Sequence, residues 1–149
     1  MMKKISCIAI DDEPIALLII RQFCERKGGL ELPAFSEPLI GLQEIGRCKP
    51  ELVFLDIEMN STSGLDIAHA LPPESCLNFT TAHAQYALNG FELDAVDFLH
   101  KPFAYERFEK AVEKALRFIE AKRNKVPENI IIKQEYNNIS VTTSEILYI

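Results

Sequence analysis

The stretch Ile5-Ser6-Cys7-Ile8-Ala9-Ile10-Asp11-Asp12-Glu13-Pro14 decides the architecture of this chain. Ile5–Ile10 is short, apolar and rich in β-branched residues, which reads as a buried strand. It stops at three acids in a row. Pro14 then suits the first turn of a helix. Apolar residues at 15, 18, 19 and 23 make one helical face, and Gly28-Gly29 ends it. The result is a strand–helix unit with acids at the carboxyl end of its strand.

Four more units follow. Residues 30–35 form a second strand, and Pro33 within it argues for an edge position. Ser36 is a candidate cap for a helix with Leu39, Leu42 and Ile45 inward. Residues 52–55 are a third strand, nearly all apolar, as a parallel strand covered on both faces should be. A short helix over 64–71 is stopped by Pro72-Pro73. Strand four spans 77–80, and the helix 84–91 after it is interrupted by Gly90, which makes it marginal. Strand five spans 95–99, and residues 105–122 form a long helix with Phe108, Ala111, Val112, Ala115 and Ile119 on one face. Five such units predict an α/β, flavodoxin-like (βα)5 fold: a doubly wound parallel sheet with strand order 2-1-3-4-5.

After Lys122 the character changes. Residues 123–129 read as a polar, proline-containing linker. Residues 130–133 and 139–142 look like two strands around Glu135-Tyr136-Asn137-Asn138, and 146–149 start a third. The expected organisation is one domain over 1–122, a linker over 123–129, and over 130–149 a short β segment opening an incomplete second domain.

The 149 residues suffice for one well-filled domain plus a little extra. The formal net charge of −6 makes a poor non-specific ligand for nucleic acid, so DNA binding is expected only through another part of the parent protein. Cys7, Cys24, Cys48 and Cys76 form no C-x-x-C pair. Cys7 and Cys76 sit in or beside apolar runs, as buried small hydrophobes in a reducing compartment do. No apolar run approaches the ~18 residues that span a bilayer. Ile5–Ile10 ends in acids, unlike a secretory cleavage site. The expectation is a cytoplasmic chain without membrane attachment.

The chemistry gathers at the strand ends. An alternating strand–helix chain builds its ligand site at the carboxyl edge of its sheet. Asp11 and Asp12 follow strand one, and Asp56 ends strand three, its neighbour in the expected order. Like charges so close repel unless a cation neutralises them, and a hard, oxygen-seeking Mg2+ answers that need. The plain alternative is that each acid is an exposed helix cap. Lys101 after strand five supplies a compact positive charge, and Thr81 at the end of strand four a hydroxyl. Taken singly these are an ordinary lysine and a strand-forming threonine. Together the three carboxylates, hydroxyl and ammonium suit a metal and a phosphoryl group.

Ile8-Ala9-Ile10-Asp11-Asp12-Glu13-Pro14, Leu55-Asp56-Ile57-Glu58-Met59, Ser63-Gly64, Thr81-Ala82 and Lys101-Pro102-Phe103 closely resemble a two-component response-regulator receiver domain. The resemblance covers about residues 3–122. Phe79-Thr80-Thr81-Ala82-His83 and Ala95-Val96-Asp97-Phe98-Leu99-His100 look like the LytR/AlgR subgroup, whose members carry a C-terminal LytTR-type DNA-binding domain. Residues 129–149 resemble its opening strands. The resemblance implies that Asp56 accepts a phosphoryl group from a sensor histidine kinase. It implies that Asp11, Asp12, Asp56 and the carbonyl of Glu58 hold Mg2+, and that Lys101 adds a second cation. It also implies a cis Lys101–Pro102 bond. Thr81 would move toward the phosphoryl group, and Phe98 would turn inward. Those movements would reshape the face made by the helix 84–91, strand five and the last helix; the acidic surface and the apolar positions of that face make homodimerisation on phosphorylation the expectation. The chain would then be a transcription regulator and no enzyme beyond its own Mg2+-assisted phosphorylation and dephosphorylation.

Three positions depart from or vary within that pattern. Asn60 stands where the family usually has proline. Glu58 and His83, two residues beyond Asp56 and Thr81, flank the path of hydrolytic water in the family and should tune phosphoryl lifetime. His83 is a poor metal-ligand candidate because no second His or Cys lies at ligand spacing; His69 and His100 have no assigned role. Three competing readings have their own marks. A Mg2+-dependent aspartyl-phosphate phosphatase wants an acid two residues after its nucleophile, which Glu58 only roughly imitates. A flavodoxin-like cofactor binder wants glycine and hydroxyls where Asp11-Asp12-Glu13 stand. A non-phosphorylated interaction scaffold has no need of the intact Asp, Thr and Lys set.

Overall fold

The computed structural model describes residues 4–83 and 94–131, with side chains through 123. Its elements are β1 (Ile5–Ile10), α1 (Pro14–Lys27), β2 (Leu30–Glu31), β3 (Ala34–Phe35), α2 (Pro38–Cys48), β4 (Leu52–Asp56), α3 (Gly64–His69), β5 (Cys76–Thr81), β6 (Asp97–His100) and α4 (Tyr105–Ile131). The expected helix 84–91 with Gly90, and the strands at 139–142 and 146–149, lie outside the described residues. No helix among the described residues is long and apolar enough to cross a membrane.

The sheet is parallel, in the order β2-β1-β4-β5-β6, with β3 also on β1. The single edge strand expected over 30–35 is split into β2 and β3 around Leu32-Pro33. Pro33 has no N–H to give, but its carbonyl still accepts from Ala9 N at 3.2 Å. Counting the two pieces as one strand, the order is the expected 2-1-3-4-5.

In-register pairing sorts the side chains onto two faces. One face carries Ile8, Ile10, Val53, Leu55, Leu77 and Phe79, and α2 and α3 close it with Ile45 and Ile67. Partner residues Ala9, Phe54, Asn78 and Asp97 share the other face. Phe108 of α4 stacks on Phe54 there at 5.4 Å, and Phe23 of α1 meets Phe108 at 5.4 Å. Along α4, Phe108, Ala111, Val112, Ala115 and Ile119 are all buried, the face the periodicity indicated.

Four local expectations are corrected. In α1 the buried row is Leu17, Ile20 and Cys24, while Ile15 is 73% and Leu18 52% exposed. Residues 15–20 are apolar almost all round, so spacing alone does not phase the helix. In α2, Leu39 is exposed and Pro38, Gly41 and Ile45 are buried. Gly41 faces inward because a Cβ there would meet Ile10 Cδ1 at 2.6 Å, a packing demand that hydrophobicity does not register. The α2 N-cap is Glu37, without a side-chain cap bond, rather than Ser36. Finally α4 continues past Lys122 to Ile131 and takes in 123–129 and the first two residues of the strand expected over 130–133, since Glu120-Ala121-Lys122-Arg123 are strong helix formers with no stop signal among them. By contacts the first compact unit ends at Ala115, and a second unit begins at Leu116.

Candidate functional site

Strand ends bring the carboxylates together. Asp11 directly follows β1 and is fully buried; Asp56 closes β4 and is 4% exposed. Carboxylate oxygens of Asp11, Asp12 and Asp56 all lie within 4.8 Å of one another. Lys101, which follows β6, reaches across from the other side of the sheet. Its Nζ donates to Asp11 Oδ2 at 2.7 Å and Asp56 Oδ1 at 3.3 Å, and to the exposed Glu13 Oε1 at 3.4 Å. The Lys101–Pro102 bond is cis.

These acids do not share the site without strain. Burial pushes the Asp56 carboxyl up to about 7, the nearby charge of Asp11 adds to this, and Lys101 works against it. For Lys101, burial acts to lower its pKa. Its hydrogen bond to Asp11 and the charges of Asp11 and Asp56 prevail and hold the ammonium above its ordinary value. One lysine therefore cannot satisfy three acids. An all-oxygen donor set of this spacing, with Asp56 resisting ionisation, fits a hard divalent cation.

The loop after β4 folds back under the acids. Gly64 N donates to Ile57 O at 2.7 Å, and a Cβ at Gly64 would sit 2.9 Å from both Asp56 C and Ile57 Cα, so only glycine allows the approach. Ser63 caps α3 by accepting from Leu65 N at 3.1 Å. Asn60 N donates to Asp12 Oδ2 at 2.7 Å, a bond that proline at this position has no N–H to make.

Above the acids, His83 Nε2 and Glu58 Oε1 pair at 2.7 Å. Thr81 is buried, and its hydroxyl accepts from His83 N at 2.9 Å. Lys101 N donates to Thr81 O at 2.7 Å through the backbone, but among the described residues no side-chain hydrogen bond joins Thr81 to Asp56 or Lys101. The polar cavity at this edge has a volume of about 330 Å³ and is lined by Asp12, Glu13, Asp56, Glu58, Asn60, Ala82, His83 and Lys101.

Phe98 lies away from the acids, stacked on Phe79 with centroids 5.2 Å apart. Sequence reasoning passed over the clamp beside it. Arg107 of α4 donates from both Nη atoms to the Asp97 carboxylate, at 2.9 and 2.7 Å, and to Phe98 O at 3.0 Å. Burial acts to raise the Asp97 pKa, but the bonds from Arg107 and from Phe98 N prevail and hold it below its ordinary value. An acid opening a strand and an arginine in the first turn of the next helix were the available signal.

The match to known proteins follows the same residues. The response regulator receiver domain model matches residues 7–113. The chain belongs to that family. Receiver domains are signalling regulators rather than conventional enzymes. The chain is 39% identical over 116 residues to an uncharacterized response regulatory protein of Vibrio cholerae, covering 76% of this chain and 49% of that protein. It is 33% identical over 141 residues to the sensory transduction protein LytT of Bacillus anthracis, covering 91% and 54%. A solved response regulator receiver domain protein from Clostridium thermocellum superposes with a TM-score of 0.72 at 25% identity, covering 82% of this chain and 99% of that one. The chain thus spans about half the length of the curated relatives it matches. Similarity to LytT agrees with the LytR/AlgR resemblance in the sequence.

Proposed function

We propose that this receiver domain takes a phosphoryl group on Asp56 from the phosphohistidine of a sensor histidine kinase, as the input step of a two-component phosphorelay. One observation carries the reading: three carboxylates within 4.8 Å, bridged by Lys101, at the carboxyl edge of the sheet. An Asp56 carboxylate oxygen attacks phosphorus as the bond from phosphorus to the donor nitrogen breaks, and the nitrogen's electron pair returns to imidazole. Mg2+ held by Asp11, Asp12, Asp56 and the carbonyl of Glu58 would neutralise charge on the transferring oxygens when bound. The chain itself contributes position and charge. Lys101 stands within bonding distance of Asp56 and meets charge that develops there. Asn60 N holds Asp12 in place, and Gly64 lets the backbone beneath Asp56 close up.

Thr81 and Phe98 form the switch in this reading. Thr81 would leave His83 for the new phosphoryl oxygen, and Phe98 would turn from Phe79 toward the space released. A local electrostatic change then biases a two-state element, here the β6–α4 face that Asp97 and Arg107 hold together. The kinase would approach over α1, where Ile15, Leu18 and Ile19 are exposed beside the site. An apolar cavity of about 270 Å³ opens there between Ile15, Ile19, Pro102 and Phe103. The output is transcriptional: residues 1–122 would be the receiver unit, and 123–129, within the last turns of α4, would lead to the opening of a LytTR-type DNA-binding domain over 130–149. Phosphorylation would favour a homodimer, and the compartment is the cytoplasm.

The test is intact-protein mass spectrometry after incubation with acetyl phosphate, with and without Mg2+, on the unaltered chain and Asp56→Asn. A single Mg2+-dependent phosphoryl adduct, lost in the variant, is the expected result. No adduct on the unaltered chain would overturn it, and repeated turnover of small phosphomonoesters would favour a phosphatase.

A further inference from the structure

Strand β5 buries three polar side-chain atoms that find no partner among the described residues: Asn78 Nδ2, Asn78 Oδ1 and Thr80 Oγ1. Both residues are enclosed, at 0% and 1% exposure. They stand two apart on one strand and so share a face. Register sets Asn78 between Phe54 and Asp97, and Thr80 between Asp56 and Leu99. Thr80 is thus the in-register neighbour of Asp56, and Asn78 that of Phe54, on which Phe108 of α4 stacks.

Buried amides and hydroxyls are nearly always hydrogen-bonded, and an orphan forfeits its bond to water without return. An apolar side chain would occupy a central strand without that loss, as Leu77 and Phe79 do on the opposite face. Two adjacent polar residues with three open valences therefore call for a small ligand that both donates and accepts. Water is that ligand: the carboxamide offers a donor and an acceptor, and the hydroxyl offers both. Side chains two residues apart on a strand are about 6.6 Å apart at Cβ, and polar atoms carried beyond Cβ can lean to within the ~5 Å that one water with two bonds of ~2.9 Å spans. The covering helix carries Ala111 and Ala115 on its Phe108 side, both fully buried and with no polar side-chain atom to offer as a partner.

We propose that Asn78 and Thr80 form an internal hydration site beside Asp56, where a buried water bridges the carboxamide and the hydroxyl and fixes the Thr80 side chain against the acceptor carboxylate. Thr80 is then a positioning residue for Asp56. That second part rests on Asp56 as phosphoacceptor; the hydration itself does not.

The test uses NMR on the whole chain and the variants Thr80→Val and Thr80→Ser. Nuclear Overhauser contacts between a long-lived water and the Asn78 side-chain amide are expected in the unaltered chain and absent in Thr80→Val. The melting temperature should drop by about 4 °C in Thr80→Val and recover in Thr80→Ser. Adduct formation with acetyl phosphate and Mg2+ should slow roughly threefold in Thr80→Val and recover in Thr80→Ser, which a purely structural threonine would not show. No water contact in the unaltered chain, with a melting point raised by Thr80→Val, overturns the proposal, because plain orphans are relieved by an apolar isostere. Water contacts and the melting drop in a chain that takes no phosphoryl group would support the hydration site and sink the phosphoacceptor reading alone.

Discussion

On the α2–α3 side of the sheet, β1, β4 and β5 present Ile8, Ile10, Val53, Leu55, Leu77 and Phe79, an apolar layer closed by Ile45 and Ile67. On the α1–α4 side the same strands end in Asp11 and Asp56 and bury Asn78 and Thr80 beside Ala9 and Phe54. Backbone geometry is the same on both sides, so the difference lies in side chains alone. One side needs only volume and close packing. The other holds crowded acids and open polar valences, which cost stability wherever they are not met. The proposed phosphoacceptor site sits on the expensive side, and the apolar side supplies the surplus that tolerates it.

The largest effect should come from the apolar side. Phe79→Ala removes a fully buried ring that also supports Phe98, and should cost about 3–5 kcal/mol in urea unfolding. Asp56→Asn should move the other way. Without Mg2+ at pH 8 it removes one of three mutually repelling charges, and should raise the melting temperature by about 4 °C. A destabilised Asp56→Asn chain would break the contrast, because it would make Asp56 part of what holds the fold together.

The pH dependence sharpens it further, since two acids of the α1–α4 side titrate in opposite senses. The folded Asp56 carboxyl stands near 7, above its ordinary 3.8. The stability it contributes is complete below about pH 4 and is lost as pH rises through about 7. Asp97 is held below its ordinary value by Arg107, so its contribution is present above about pH 4 and is lost as pH falls below that. Metal-free stability should therefore fall between about pH 4 and 7 in the unaltered chain, and the fall should flatten in Asp56→Asn. Added Mg2+ should restore stability at pH 8 in the unaltered chain only. Asp97→Asn should lose ~1 kcal/mol at pH 7, a modest figure because the Arg107 side chain is 41% exposed, and less at pH 3. Equal losses at both pH values would remove the ion pair from the account.

How far the sequence disclosed this division depends on the kind of signal. Strand ends and their acids were readable because a strand that runs into Asp11-Asp12 or Asp56 has only one edge to place them on. Their convergence with Lys101 followed from strand order. Phase around a helix was not readable where apolar residues run on without interruption, as at 15–20 in α1. Nor was the inward turn of Gly41, which is settled by contact with Ile10 rather than by its own polarity. Asn60 read only as a missing proline, yet its N–H reaches Asp12; backbone donors leave no trace in residue type. The Asn78–Thr80 pair was hidden for a related reason, because both residues lie in a run that reads correctly as a strand.

The smallest expected effect concerns the helix whose phase was misread. Leu17 is 8% exposed and belongs to the row of α1 that packs inward, while Leu18, one residue on, is 52% exposed. Leu17→Ala should cost about 2–4 kcal/mol. Leu18→Ala should stay within about 0.5 kcal/mol, as should Leu39→Ala on α2. Adjacent leucines on one helix thus form a control in which composition, propensity and neighbourhood are nearly constant and only burial differs. Comparable losses at 17 and 18 would mean that α1 is rotated by about 100° per residue from the position described. Apolar residues at 15, 18 and 19 would then cover the sheet, and the exposed patch beside Lys101 would disappear with that rotation. A near-silent Leu18→Ala that nonetheless slows transfer from a kinase, while leaving acetyl phosphate transfer unchanged, would place that leucine on the partner-facing side of the helix.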